Sequence, residues 1–206
     1  MAGILLASGG LDSTTLAYWL LDKKIEFHVL FIDYGQHFAK TEFETLKAVL
    51  PKENLSSIEI VNVSSVYAGS TSKMIIAPDL WNDEINADDL YLPYRNIFIL
   101  TIGAIAAQKK NYDTVYSAFI NSNHAKEIDC SNDFFNQLES ILKDFGAIKI
   151  EMPFRYMSKY QVAKLGIELG APIGKTFSCQ ASPSIPCGAC PNCVDRLEAF
   201  RLLSNS

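Results

Sequence analysis

Lysine and arginine nowhere form a run in this chain of 206 residues, and acidic residues outnumber basic ones for a net charge of −5. A protein that holds nucleic acid mainly through phosphate contacts needs a basic face, so direct nucleic-acid binding is not expected. No apolar run is long enough to span a bilayer, and Leu5-Leu6 leads into glycines rather than a cleavage site. The expectation is a cytoplasmic protein without membrane contact. Repeats and low-complexity tracts are missing. Cysteine is absent before Cys130, and the other four crowd together as Cys179, Cys187, Cys190 and Cys193. In a reducing compartment such a cluster points to metal before disulfide. With 49% apolar residues, the length supports one sizeable core and a small appendage.

What is present begins with Ala7-Ser8-Gly9-Gly10-Leu11-Asp12-Ser13-Thr14-Thr15-Leu16-Ala17. The apolar Gly3–Leu6 before it reads as a buried parallel strand, and Leu16–Leu21 after it supplies an inward helix face. A strand, a glycine turn and a hydroxyl-rich helix start make an anion cradle. Gly9 and Gly10 permit positive φ and bare backbone N–H groups, and Asp12 or Ser13 is placed to cap the helix. No lysine follows the glycines, so this is not a Walker A loop, and their adjacency excludes G-x-G-x-x-G.

Further strands are expected at Phe27–Ile32, Ser57–Val63, Asp113–Ile120 and Ile148–Pro153. Helices are expected over Ala39–Leu50, Ile97–Ala107, Phe134–Phe145, Lys159–Leu169 with Ser158 as N-cap, and from Val194 onward. The helix over Ile97–Ala107, almost wholly apolar, should be buried. This βαβαβ order predicts an α/β fold, a doubly wound and mostly parallel sheet with ligands past the carboxyl ends of the strands. Asp33-Tyr34-Gly35-Gln36 ends the second strand and should face the same crevice as the glycine turn. Residues Val66–Tyr91 read as a long solvated loop, a lid or flap, in which Asp83-Glu84 and Asp88-Asp89 form no fixed acid pair. Two overlapping C-x-x-C units and a fourth cysteine offer a closed tetrahedral shell, so a metal there should be structural. Zinc leads, with an iron–sulfur cluster and free thiols as the rivals. The division expected is an α/β domain over 1–175 and a metal-binding module with its helix over 176–206, packed on the same domain.

The Ser-Gly-Gly-x-Asp-Ser turn resembles the pyrophosphate loop of the N-type ATP pyrophosphatases. Together with Tyr34-Gly35-Gln36, Pro93-x-Arg95-Asn96, Ser158-Lys159, Thr176-x-Ser178-Cys179, Cys187-Gly188-x-Cys190-x-x-Cys193 and Arg196, it resembles the 7-cyano-7-deazaguanine synthase family over nearly the whole chain. That resemblance implies an adenine-nucleotide α-hydrolase-like fold, one structural zinc and a homodimer. It also implies an ATP-dependent C–N ligase acting on a small heterocyclic carboxylic acid, 7-carboxy-7-deazaguanine, with ammonia to give the nitrile precursor of queuosine. ATP would lie along residues 7–17, with Mg²⁺ near Asp12. Asp12, Ser13, Arg95 and Lys159 are the expected catalytic residues. Tyr34, Gln36, Arg95, Asn96, Asn123, Asp129 and Cys130 are the expected acceptor contacts.

Residues Ala118–Ser131 depart from the family's Gly-Val-x-x-x-Asp-x-Ser-Gly-Tyr-Pro-Asp-Cys-Arg segment. Asn123 stands in place of an aspartate and Ser131 in place of an arginine, which removes a fork for a substrate carboxylate. The activating half is thus kept better than the recognition half, so the acceptor could differ or the reaction stop at the amide. A tRNA-thiolating enzyme shares the turn, but the acidic balance and the lone Cys130 argue against it. A nucleotide sensor without catalysis is the third reading.

Overall fold

The computed structural model describes residues 2–83, 85–120 and 130–205. Five parallel strands make one sheet in the order β3-β2-β1-β4-β5. They are β1 (Ala2–Leu6), β2 (Glu26–Asp33), β3 (Ile58–Asn62), β4 (Thr114–Tyr116) and β5 (Lys149–Glu151). The helices are α1 (Leu11–Asp22), α2 (Ala39–Val49), α3 (Arg95–Lys109), α4 (Asn132–Gly146), α5 (Lys159–Glu168) and α6 (Pro191–Ser204).

Strand alternation divides the core in two. Ile4, Leu6, Leu30, Ile32, Val115 and Ile150 join Leu100 and Ala104 of α3 and Leu138 of α4 on one face. Leu5, Val29, Phe31 and Tyr116 meet Leu16 and Leu20 of α1, Leu46 of α2, Val162 of α5 and Ala199 of α6 on the other. Helices on both faces are what parallel strands require. The order reverses at β1: β2 and β3 lie to one side, β4 and β5 to the other. A crevice therefore opens past the carboxyl ends of the central strands.

Some elements differ from expectation. Strand β4 stops at Tyr116 rather than Ile120: Ser117 makes one last bond to the Glu151 carbonyl, and residues 117–119 then turn into the rim of the crevice. Helix α3 starts at Arg95, two residues early, after Tyr94 in the left-handed region (φ 58). It is not wholly buried, since Ile105 is exposed while Gly103, Ala104 and Ala107 face the sheet. Helix α6 starts at Pro191, with Cys190 as its N-cap. The long loop is fastened where described: Met74, Leu90 and Leu92 are buried, Lys73 N–H donates to the Asp89 carbonyl, and Lys73 pairs with Asp83. Ser158 caps α5 as expected, in a full capping box with Gln161. No helix among the described residues is long and apolar enough to cross a membrane.

Helices α1 and α5 cross closely at Gly166, where a Cβ would lie 2.6 Å from Thr15 Oγ1 and 2.7 Å from Ile173 Cγ2. Both neighbours are buried and cannot swing aside. Gly166→Ala is expected to destabilise by about 1–3 kcal/mol. Urea unfolding should show this as a lower midpoint with an unchanged slope.

Candidate active site

Gly9 takes φ +79 and turns the chain off β1; a Cβ there would lie 2.6 Å from Leu46 N and 2.7 Å from the Glu42 carbonyl oxygen. Only glycine fits, and α2 packs directly against the turn. Gly10 is extended (φ −71, ψ 165) and is itself the N-cap, so neither Asp12 nor Ser13 caps α1. The helix begins two residues earlier than a cap at Asp12 would require. The Ser13 hydroxyl instead donates to the Gly10 carbonyl and accepts from Ser8 N–H, both at 3.3 Å, and Ser8 Oγ accepts from Gly10 N–H. With no side-chain cap, the first-turn N–H groups of α1 are left for an anion.

A cleft of about 270 Å³ opens above this turn. Its floor is Leu6, Ala7, Ser8, Gly10, Leu11, Asp12 and Ser13; Tyr34, Gln36, Arg95, Asn96, Lys159 and Phe119 line the walls. Gly9 faces α2 instead. Thr14, Thr15, Leu16 and Ala17 are buried beneath the turn, their residues 0–1% exposed, and Leu16 and Ala17 belong to the core. Lys159 Nζ, from the first turn of α5, reaches Asp12 Oδ2 at 2.6 Å. The other oxygen, Asp12 Oδ1, is buried without a hydrogen-bond partner. Arg95 lies across the cleft, its guanidinium on Asn96 Oδ1 and Met74 Sδ.

Behind Arg95 sits a buried polar group. The Gln36 side chain accepts from Tyr34 N–H (3.0 Å) and donates to Glu42 Oε2 (2.9 Å). Burial pushes the Glu42 carboxyl up to about 7, against the pull of the Gln36 bond and of Arg95. Burial also holds the Tyr34 phenol above its ordinary range, so it stays neutral.

The four clustered cysteines converge, with the sulfurs of Cys179, Cys187, Cys190 and Cys193 all within 4.8 Å of one another. Sulfurs at about 2.3 Å from a tetrahedral ion stand roughly 3.8 Å apart, so this set could hold a metal. Backbone N–H groups of Ser182 and Cys187 already point at Cys179 Sγ, and that of Cys190 at Cys187 Sγ. The segment also walls the cleft through Phe177, Ser178, Gln180 and Asn192. Phe177 N–H donates to the Gly9 carbonyl at 3.1 Å, His37 Nε2 to the Gln180 carbonyl at 3.2 Å, and Thr41 Oγ1 to the Pro183 carbonyl. Arg196 of α6 holds Thr176 Oγ1 and the Ile173 carbonyl.

A family model described as queuosine biosynthesis protein QueC matches residues 2–204. The chain belongs to the QueC family. It is 30% identical over 206 residues to a 7-cyano-7-deazaguanine synthase of Nitratiruptor sp., covering 97% of this chain and 94% of that one. A synthase of the same name from Archaeoglobus fulgidus is 30% identical over 208 residues, covering 97% and 86%. One from Methanoculleus marisnigri is 31% identical over 211 residues, covering 97% and 94%. Among solved structures, a 4-thiouridine synthetase–RNA complex with bound ATP shares the fold, with TM-score 0.53 and 16% identity. That match covers 97% of this chain but only 53%, about half, of the synthetase.

Within the QueC frame, the stretch that departs from the family falls at the edge of the described structure. Asn123 and Asp129 lie outside the described residues. Cys130 is half-buried and packs against the larger apolar cluster. Ser131, where the family resemblance calls for arginine, caps α4 by accepting from Phe134 N–H at 3.1 Å. Glu42, Ser117, Gln180 and Asn192 also line the cleft and were not foreseen there. Glu42 carried a signal, since the first turn of a helix following the Tyr34-Gly35-Gln36 strand end must come back over the crevice. Gln180 and Asn192 carried only their adjacency to Cys179 and Cys193.

Proposed function

We propose that the chain is an ATP-dependent C–N ligase that converts 7-carboxy-7-deazaguanine and ammonia to 7-cyano-7-deazaguanine, the QueC reaction. The observation that carries this is the uncapped glycine turn opening into the same cleft as Arg95 and Lys159. A carboxylate is a poor electrophile, and adenylation makes AMP its leaving group. Ammonia then gives the amide, and a second adenylation followed by loss of AMP gives the nitrile. In each activation negative charge gathers on the departing pyrophosphate. Backbone N–H groups of Ser8 to Ser13, fixed before the reaction, stabilise it. Lys159 balances that charge from α5, and Arg95 holds a phosphate or the substrate carboxylate. Tyr34, Gln36 and Asn96 present polar atoms to the heterocycle, joined in this reading by Asn123, Asp129 and Cys130.

The unpartnered Asp12 Oδ1 suits a hard cation, so Asp12 would hold Mg²⁺, which when bound neutralises phosphate charge. Cys179, Cys187, Cys190 and Cys193 would hold one structural Zn²⁺, since four thiolates close the shell against water. In this reading residues 176–206 form a module that braces an ATP-handling domain over 1–175, and the protein works in the cytoplasm as a homodimer. A second reading, that the acceptor is a related carboxylate or that the product is the amide, is favoured by Ser131 and Asn123 standing where the family resemblance calls for arginine and aspartate.

The test is ATP–pyrophosphate exchange against a panel of carboxylates. Exchange that depends on 7-carboxy-7-deazaguanine is expected, with nitrile found by mass analysis when ammonia is added. Exchange with a different acid only moves the assignment to the second reading. Exchange with none refutes the ligase.

A further inference from the structure

Glu42 sits directly beneath the phosphate turn. Because Gly9 has no Cβ, the first turn of α2 packs onto it, and Glu42 lines the same cleft as Arg95, whose charge acts on it. Asp12 and Glu42 are the two carboxylates among the described residues that line this cleft. Asp12 is committed to Lys159. Nearby Asp33 is committed to Gly35 N–H and Asn62. Asp12 Oδ1 is also unpartnered, but its carboxylate is ion-paired to Lys159; Glu42 lines the cleft with no ion pair among the described residues and with only Oε2 in a hydrogen bond.

The geometry says which oxygen. Gln36 accepts from Tyr34 N–H through Oε1, so its NH₂ group is forced toward Glu42 and the Ile32 carbonyl. Glu42 Oε2 is therefore an acceptor, and a proton taken up by this carboxyl goes to Oε1. Arg95 on α3 favours the charged form, while burial and Asp33 at the end of β2 favour the neutral one; the Tyr34 phenol beside Arg95 stays neutral. Their balance leaves the carboxyl poised near neutrality, where a general base works best.

We propose that Glu42 is the base that removes the last N–H proton as the nitrile forms, an assignment that rests on the reaction proposed above. In that step the adenylated amide, R–C(=NH)–O–AMP, gives its N–H proton to Glu42 Oε1. The N–H electron pair becomes the third C–N bond. The C–O bond breaks, and its electron pair leaves with AMP, which carries away the former amide oxygen. Nothing is oxidised or reduced.

Starting from the amide of 7-carboxy-7-deazaguanine and ATP isolates this step from ammonia. Nitrile formation by the unaltered protein should rise with pH through about 7, because the base is active when deprotonated. Glu42→Gln keeps the shape and the Gln36 contact. It should lower kcat for nitrile formation about a hundredfold, abolish the rising limb, and make reactions begun from the acid and ammonia stop at the amide. Glu42→Asp keeps a carboxylate and should recover at least about a tenth of the rate; it also stands in if the glutamine variant does not fold. A glutamine variant that makes nitrile at the unaltered rate with its limb intact overturns the assignment, as does an aspartate variant whose rate is no better than about a hundredth. If the unaltered protein cleaves ATP with neither the acid nor the amide, the ligase reading itself fails, and no variant is needed to see it.

Discussion

Asp12→Asn is expected to reduce acid-dependent pyrophosphate exchange on the order of 10³-fold while the protein stays folded. Asp12 is the second residue of α1, and its carboxylate does two things at once. Oδ2 holds Lys159 Nζ at 2.6 Å, and Oδ1 is buried with no partner. Asparagine has nearly the same size and still offers an oxygen to Lys159, so the helix and the packing of α5 on α1 survive. What disappears is a full negative charge at the mouth of the phosphate turn, and with it the anchor for a hard cation. ATP binding should weaken less than turnover, because the backbone N–H groups of the turn are untouched. Equilibrium ATP binding measured beside pyrophosphate exchange checks the split. Exchange at the unaltered rate in this variant refutes the assignment of the turn.

Cys190→Ser is expected to be the most damaging substitution for folding. Cys190 is fully buried, caps α6 and faces three other sulfurs. The crowding is electrostatic as well as steric: hydrogen bonds from Cys190 and Cys193 hold the Cys179 thiol far below its ordinary range and theirs above it. A cation resolves that conflict by taking all four as thiolates, and its binding energy, on the order of 10 kcal/mol in small zinc-binding peptides, is folding energy. Proteolysis within 178–193 should accelerate at least about tenfold, and metal analysis should find no bound ion. The loss should reach the nucleotide too. Phe177 N–H bonds the Gly9 carbonyl, and Asn192 walls the cleft, so KM for ATP should rise along with the proteolysis rate. Chelator-treated protein that stays folded with normal turnover refutes the structural role. Visible absorbance from the purified protein would replace zinc with an iron–sulfur cluster.

The sheet was readable because its strands are short apolar runs separated by helix-period segments, and parallel strands buried on both faces have little other way to look. The strand ends were less readable. Asp113–Ile120 reads as one strand by composition, yet pairing ends at Tyr116, because β5 offers only three residues and the cleft needs the rest. The helix caps show the limit of local reading. Ser158 is found as a cap because nothing competes for it, whereas Asp12 is drawn away by Lys159, 147 positions along the chain. The cysteine set is legible from spacing alone, but its second task as a wall of the cleft is not, since that depends on how Phe177 meets Gly9. The place of Glu42 is not legible for the same reason. Its environment is made by Gln36, Arg95 and a glycine turn from three separate elements.

Strand β1 is hydrogen-bonded along both edges, to β2 and to β4, and the phosphate turn continues straight from its end. Amide hydrogens in β1 should be among the last in the protein to exchange with solvent, and the turn is moored to them. The cysteine segment, by contrast, meets α2 at the rim of the cleft through single side-chain bonds, Thr41 to the Pro183 carbonyl and His37 to the Gln180 carbonyl, and isolated bonds of that kind open far more readily than the ladder of β1.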